Sequence, residues 1–125
     1  MRYFHWLEIK FEPDSEVHKS ITEILSLEPK VENPGDQAEP SSWTYEVITE
    51  NGDKYFDFIN NFLDMLDKKF SALYEIGIRK ENITFWLLYE YDQQCNLELD
   101  SIRMKRLGEA GITLCISCWD SGKIR

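Results

Sequence analysis

Few residues in this chain are of the types that do chemistry. Its 125 residues include three cysteines, Cys95, Cys115 and Cys118, and two histidines, His5 and His18. Cys115 and Cys118 form the only Cys-x-x-Cys. They lie in a stretch of alternating apolar residues, where positions i and i+3 of a strand face opposite sides, so the two sulfurs diverge. A structural zinc centre wants four ligands, and Cys95, His5 and His18 stand at no spacing that completes one. A redox dithiol belongs at a strand-to-helix turn rather than mid-strand. The plainer account is cysteines packed as small hydrophobes, and an odd number of them fits a reducing compartment. There is no Gly-x-Ser-x-Gly, no cysteine-protease context and neither form of glycine-rich phosphate loop. His5 falls on the apolar face of a strand as a packed, hydrogen-bonded group, and His18 on a solvated helix. The reading is of a protein that is not an enzyme, with no metal or cofactor implied.

Carboxylates are the abundant ionisable group. There are 23 Asp and Glu against 14 Lys and Arg, a formal charge of −9. Such a surface repels nucleic acid and anionic membrane and attracts a basic protein. The basic clusters Lys68-Lys69, Arg79-Lys80 and Arg103–Arg106 are too short to form a nucleic-acid stripe. Acids concentrate in two places. Glu28, Glu32, Asp36 and Glu39 line one long loop. Asp53, Asp57, Asp64 and Asp67 fall mostly along the polar side of a long helix, within one stripe. Each acid taken singly reads as part of a solvated face. Together they form an anionic patch able to steer a cationic partner. The candidate partner-binding residues are therefore Asp57, Asp64, Asp67, Glu28, Glu32, Asp36 and Glu39.

The elements that would position these groups follow from hydrophobic period. Tyr3–Glu12 alternates as a half-buried strand, with Tyr3, His5, Leu7, Ile9 and Phe11 on one face. Asp14 or Ser15 caps a helix carrying Val17, Ile21, Ile24 and Leu25, which Glu28-Pro29 ends. Lys30–Ser42 reads as a surface loop, and Trp43–Thr49 as a second strand. After the Asn51-Gly52-Asp53 turn, with Asp53 as a cap, Phe56, Ile59, Phe62, Leu63, Leu66, Phe70 and Leu73 keep a helical period. That helix either continues to Tyr74 or breaks near Lys69–Ser71, and Gly77 stops it. Ile83–Tyr91 is apolar on both faces and reads as a central strand covered on both sides. Asn96–Leu99 is a candidate short edge strand. A helix capped at Asp100-Ser101 turns Ile102, Leu107 and Ala110 inward. A last strand, Ile112–Trp119, carries Ile112, Leu114, Ile116 and Cys118 on one face.

The order β-α-β-α(α)-β-(β)-α-β predicts one α+β domain over 1–125, with helices packed on a mainly antiparallel sheet of four to five strands, ferredoxin-like in flavour. Trp6 and Trp86 fall on the second faces of their strands, to be covered by helices or to anchor an interface, with core the expected outcome. No apolar run reaches the ~20 residues of a spanning helix and the first residues lack a signal-peptide core, so a cytoplasmic address is expected.

With this pattern in place the chain resembles DUF4279, a family of small bacterial domains of undefined function. Phe11-Glu12-Pro13-Asp14 followed by Ile24-Leu25-Ser26-Leu27-Glu28-Pro29 is similar to that family's opening. Gly35-Asp36 before Ser42-Trp43-Thr44-Tyr45 resembles its loop-then-tryptophan step. Leu73-Tyr74-Glu75-Ile76-Gly77 and Leu107-Gly108-Glu109-Ala110-Gly111-Ile112-Thr113-Leu114-Cys115-Ile116-Ser117 resemble its later helix and its closing helix–strand pair. The resemblance implies an α+β fold without a known active site. It also implies the setting of immunity proteins beside polymorphic or contact-dependent inhibition toxins, where the partner is commonly a basic nuclease domain. It carries over no site residues. Two rival readings are a ligand-binding module using an aromatic groove around Tyr45, Trp86 and Tyr89, and an enzyme pairing Cys95 with His5 or His18.

Overall fold

Nine-residue strands pair across the middle of the chain's architecture. The computed structural model describes residues 2–31, 39–50, 52–91 and 97–120. Strand β1 (Arg2–Lys10) is flanked by β2 (Ser42–Glu50) and β3 (Ile83–Tyr91), both antiparallel to it, and β4 (Thr113–Asp120) lies parallel to β3. The sheet order is β2-β1-β3-β4. The helices are α1 (Ser15–Leu25), α2 (Phe58–Leu66), α3 (Phe70–Glu75) and α4 (Ser101–Ala110). The protein is thus a small α+β domain with helices packed on an open, mixed sheet, as the alternation of strand and helix patterns predicts.

Register explains which side is the core. Leu7 stands opposite both Tyr45 and Phe85, His5 opposite Val47 and Leu87, and Phe85 opposite Leu114. One face of the sheet therefore collects Leu7, Ile9, Trp43, Phe85 and Leu87, and against it pack Ile21 and Leu25 of α1, Ile59, Phe62 and Leu66 of α2, Leu73 of α3 and Leu107 of α4. Phe62 is fully buried, its ring meeting those of Phe56, Phe58, Tyr45 and Phe85 edge-on at 5.4–6.2 Å between centroids. Such edge-to-face contacts match the positive ring edge to the negative ring face.

Several local expectations are corrected. Helix α1 ends at Leu25, ahead of Glu28-Pro29, because Ser26 takes a left-handed conformation (φ 56°) and its N–H donates to the Thr22 carbonyl. Asp53 does not cap a helix. Its carboxylate accepts from the Glu50 N–H and closes the turn, and the cap is Asp57, which accepts from the Asn60 N–H. Of the two readings of the long apolar period, the break is the one found, and it falls slightly earlier than Lys69–Ser71, at Asp67–Lys69, where Lys68 has φ 66°. No strand forms over 97–100, and Asn96 lies outside the described residues. Ile102 is 78% exposed, since α4 turns Arg103, Arg106, Leu107 and Ala110 inward instead. Ile112 and Leu114 join the core, whereas Ile116 and Cys118 are exposed, so the helical cover stops partway along β4.

The largest correction concerns β3. It is central, but its burial alternates residue by residue. All four described helices contribute to a single core on one face of the sheet, and Phe4, Trp6, Trp86 and Leu88 of the other face take no part in it. Among the described residues no helix covers that second face.

Candidate functional site

The uncovered face is the most distinctive surface of the molecule. The alternation of side chains along a strand places Phe4, Trp6 and Glu8 of β1 beside Glu46 and Ile48 of β2, and beside Trp86, Leu88 and Glu90 of β3. Beyond them β4 adds Cys115, opposite Trp86, and Trp119, opposite Glu90. Trp6 and Trp86 face each other across β1 and β3 with ring centroids 6.3 Å apart and planes tilted by 59°. They are half-buried by each other and their neighbours, while Ile48 and Trp119 are 48% and 42% exposed.

Each of the two central indoles is held by a carboxylate. The Trp6 Nε1–H donates to Glu46 Oε2 at 2.7 Å, and the Trp86 Nε1–H donates to Glu8 Oε1 at 3.0 Å. These are charge-assisted bonds, which fix the rings in orientation. The chain after α1 runs along the edge of β2, where the Lys30 N–H donates to the Thr44 carbonyl. From there the Lys30 side chain reaches onto the uncovered face, with Nζ 4.5 Å from the Trp6 ring centroid and 3.3 Å from Glu46 Oε2. The arrangement combines a cation–π contact with an ion pair. Arg2 pairs with Glu50 at one end of the face.

The acids singled out from the sequence are placed differently. Only Asp64 lies within α2, for Asp57 is its N-cap and Asp67 its C-cap. Asp57 faces α4, where Arg103 donates to both its carboxylate oxygens at 3.0 and 2.9 Å. Arg106 likewise donates to Asp64 at 2.6 Å and to the Asn60 side chain at 2.7 Å. Arg103 also bonds Asp100, the N-cap of α4. Burial penalises the charge of Asp57, but hydrogen bonds from Arg103 and Asn60 outweigh it and hold the carboxyl below its ordinary value. The Arg103 guanidinium is held above its own ordinary value, chiefly by its hydrogen bonds to Asp57. Two members of the expected acidic stripe are therefore ion-paired within the molecule. Glu28 and Glu39 are exposed beside the loop, and Glu32 and Asp36 lie outside the described residues.

The other candidate groups are dispersed. Cys115 faces the uncovered side and Cys118 the helix side, as strand alternation requires, and Cys95 lies outside the described residues. Tyr45 and Tyr89 point to the helix side while Trp86 points away, so these three rings line no common groove. A separate cleft of about 390 Å³ opens on the helix side at one end of the sheet, lined by Tyr3, His5, Tyr55, Phe56, Leu87 and Leu97 among others. His5 Nδ1 lies 3.0 Å from the Val47 carbonyl and must donate to it, leaving Nε2 without a proton in the neutral ring. Burial lowers the His5 pKa, against the opposing effect of that hydrogen bond. Among the described residues no group of three or more His, Cys, Asp or Glu is placed to hold a metal ion, and no helix is long and apolar enough to cross a membrane.

No family model matches the chain, and neither does any curated protein or solved structure. The resemblance to DUF4279 accordingly stands on the residues quoted for it.

Sequence pattern alone does not single out the Trp–Glu pairs and Lys30 as a site. Strand alternation did put Trp6 and Glu8 on one face of β1 and Trp86 on the second face of β3. Pairing them required the register between strands, which no single strand pattern contains.

Proposed function

We propose that this chain is an immunity protein: a cytoplasmic binder that neutralises a cognate, basic, nuclease-type bacterial toxin domain by occluding it, without turnover. The observation that carries the reading is the uncovered sheet face, where paired tryptophans stand among carboxylates. Aromatic residues in a well-packed patch supply most of the grip in protein interfaces, and complementary charge supplies rate and selectivity. The net charge of −9 suits a cationic partner and disfavours nucleic acid and anionic membrane. The resemblance to DUF4279 supports the same setting. Glu28, Glu39 and Asp67 would add steering charge around the partner, while Asp57 and Asp64 would act chiefly by holding α4 to α2. In the test, deleting the gene sensitises cells to the product of an adjacent toxin gene, re-expression protects them, and the two proteins co-purify one to one. Absence of both an adjacent toxin and any bound protein refutes the proposal.

A second reading rests on the cleft beside His5. Its volume and its aromatic and aliphatic walls are of the kind that admit a small ligand or a peptide side chain. Thermal stabilisation by a metabolite, abolished by Phe56→Ala, would favour it over the first.

A further inference from the structure

Lys30 shows what the uncovered face is built to receive. Its ammonium lies over the Trp6 ring and against Glu46, the carboxylate that also accepts the Trp6 indole proton. One strand further on, the same parts recur. Trp86 presents a ring beside Trp6, and its indole proton is accepted by Glu8. Here the described residues supply no cation. Among the described residues no lysine or arginine stands over the Trp86 ring, and neither Glu8 nor Glu90 has an ion-pair partner. The described clefts lie elsewhere, one on the helix side and the other around Lys10–Asp14 and Ile76–Ile78. A broad four-stranded surface with one aromatic–carboxylate site filled by Lys30 and a second that no described residue fills suits a protein partner with protruding cations.

Resting on the reading above, we propose that the cationic partner docks on the uncovered sheet face, with one of its arginine or lysine side chains entering the Trp86–Glu8 site as Lys30 enters the Trp6–Glu46 site. Cation over ring and cation beside carboxylate reinforce each other, because the ring face and the carboxylate are both negative and the partner's positive group can meet them together. Glu90 adds charge of the same sign on β3. Lys30, by neutralising Glu46, leaves Glu8 as the carboxylate that directs the incoming side chain.

The test needs no knowledge of the partner. The probe is the blocked tripeptide acetyl-Gly-Arg-Gly-amide, compared with its citrulline isostere, which keeps the shape and lacks the charge. The readout is the four indole Nε1–H resonances of ¹⁵N-labelled full-length protein, with buried Trp43, bonded to Thr22, as internal control for folding. The arginine peptide should move the Trp86 resonance saturably and more than the citrulline peptide does. Glu8→Gln should weaken the response about threefold, in keeping with the loss of one partly exposed ion pair. Lys30→Ala should bring the Trp6 resonance into play as a second site. Equal responses to the two peptides, or a Trp86 response indifferent to Glu8→Gln, would overturn the proposal. So would movement of both indoles on dilution alone, which would assign the face to a second copy of this chain. Failure here leaves the toxin-protection assay to decide the immunity reading by itself, and failure of that assay leaves the cation site standing.

Discussion

His5 and Lys30 show how single side chains set the character of the two faces. On the core side, burial lowers the His5 pKa below the ordinary 6.5. Above 6.5 the ring is neutral whether the chain is folded or unfolded. As pH falls below 6.5 the unfolded chain takes up a proton that the folded one resists, so stability must drop until the folded value is reached. Melting temperature should therefore decline as pH falls through and below about 6.5, and His5→Gln should flatten that slope. An identical slope in the variant would show that His5 is not its source. On the other face, Lys30 is half-exposed, and ion pairs and cation–π contacts of that kind contribute little to stability. Replacement with methionine should cost less than ~1 kcal/mol in urea unfolding. A larger loss would mean that Lys30 holds the β2 edge in place rather than simply lying on Trp6.

At the scale of elements, α2 and α4 are joined by two chemistries. Phe62 and Leu107 bury apolar surface, and the Asp57–Arg103 and Asp64–Arg106 pairs fasten the polar rim. Phe62→Ala leaves a void among four aromatic rings and should cost about 3–5 kcal/mol. Ile102→Ala, on the exposed side of α4, should change stability by less than ~0.5 kcal/mol. Equal effects would mean that α4 is turned the other way. Asp57→Ala removes the α2 cap and should cost ~1 kcal/mol through capping alone, read as a lower urea midpoint at unchanged slope. This region also marks the limit of what sequence could tell. The period of Ile59, Phe62, Leu63 and Leu66 identifies a helix and its buried side, because apolar spacing reports burial directly, whereas Phe56, read with them, lies ahead of the Asp57 cap. For α4 the same logic pointed Ile102 inward, yet Arg103 and Arg106 occupy that side. Their charge is met by carboxylates 46 and 42 positions away in the chain, and such long-range pairing leaves no local trace. The strands were legible for the opposite reason, since two-residue alternation depends only on having two unlike faces. What the alternation of β3 lacked was a sign for the second face. Trp86 and Leu88 are as apolar as core residues but cover each other and their cross-strand neighbours Trp6 and Phe4.

For the molecule as a whole, one-sided helical cover and a charge of −9 act together. All the described helices lie on one face of the sheet, and the other holds half-buried tryptophans oriented by glutamates, one of which, Glu46, is neutralised by Lys30. The candidate site was legible only in pieces. The excess of acid pointed to a cationic partner, but the acids chosen on spacing include two that the fold ties to arginine. The account predicts association with a basic partner that slows steeply as salt is raised, because steering between exposed charges is screened within about 10 Å at 0.1 M ionic strength. Its central claim is that the uncovered face, rather than the acidic side of α2, makes the contact. The most direct measurement is calorimetric titration of the proposed cationic partner, a toxin domain encoded beside this gene, into the wild type, Trp86→Ala and Asp64→Asn, each first shown by thermal melting to be folded. The account predicts that Trp86→Ala weakens binding by roughly thirtyfold or more, as loss of an interface hot spot does, while Asp64→Asn stays within about threefold. Unchanged affinity for Trp86→Ala together with a large loss for Asp64→Asn would contradict it.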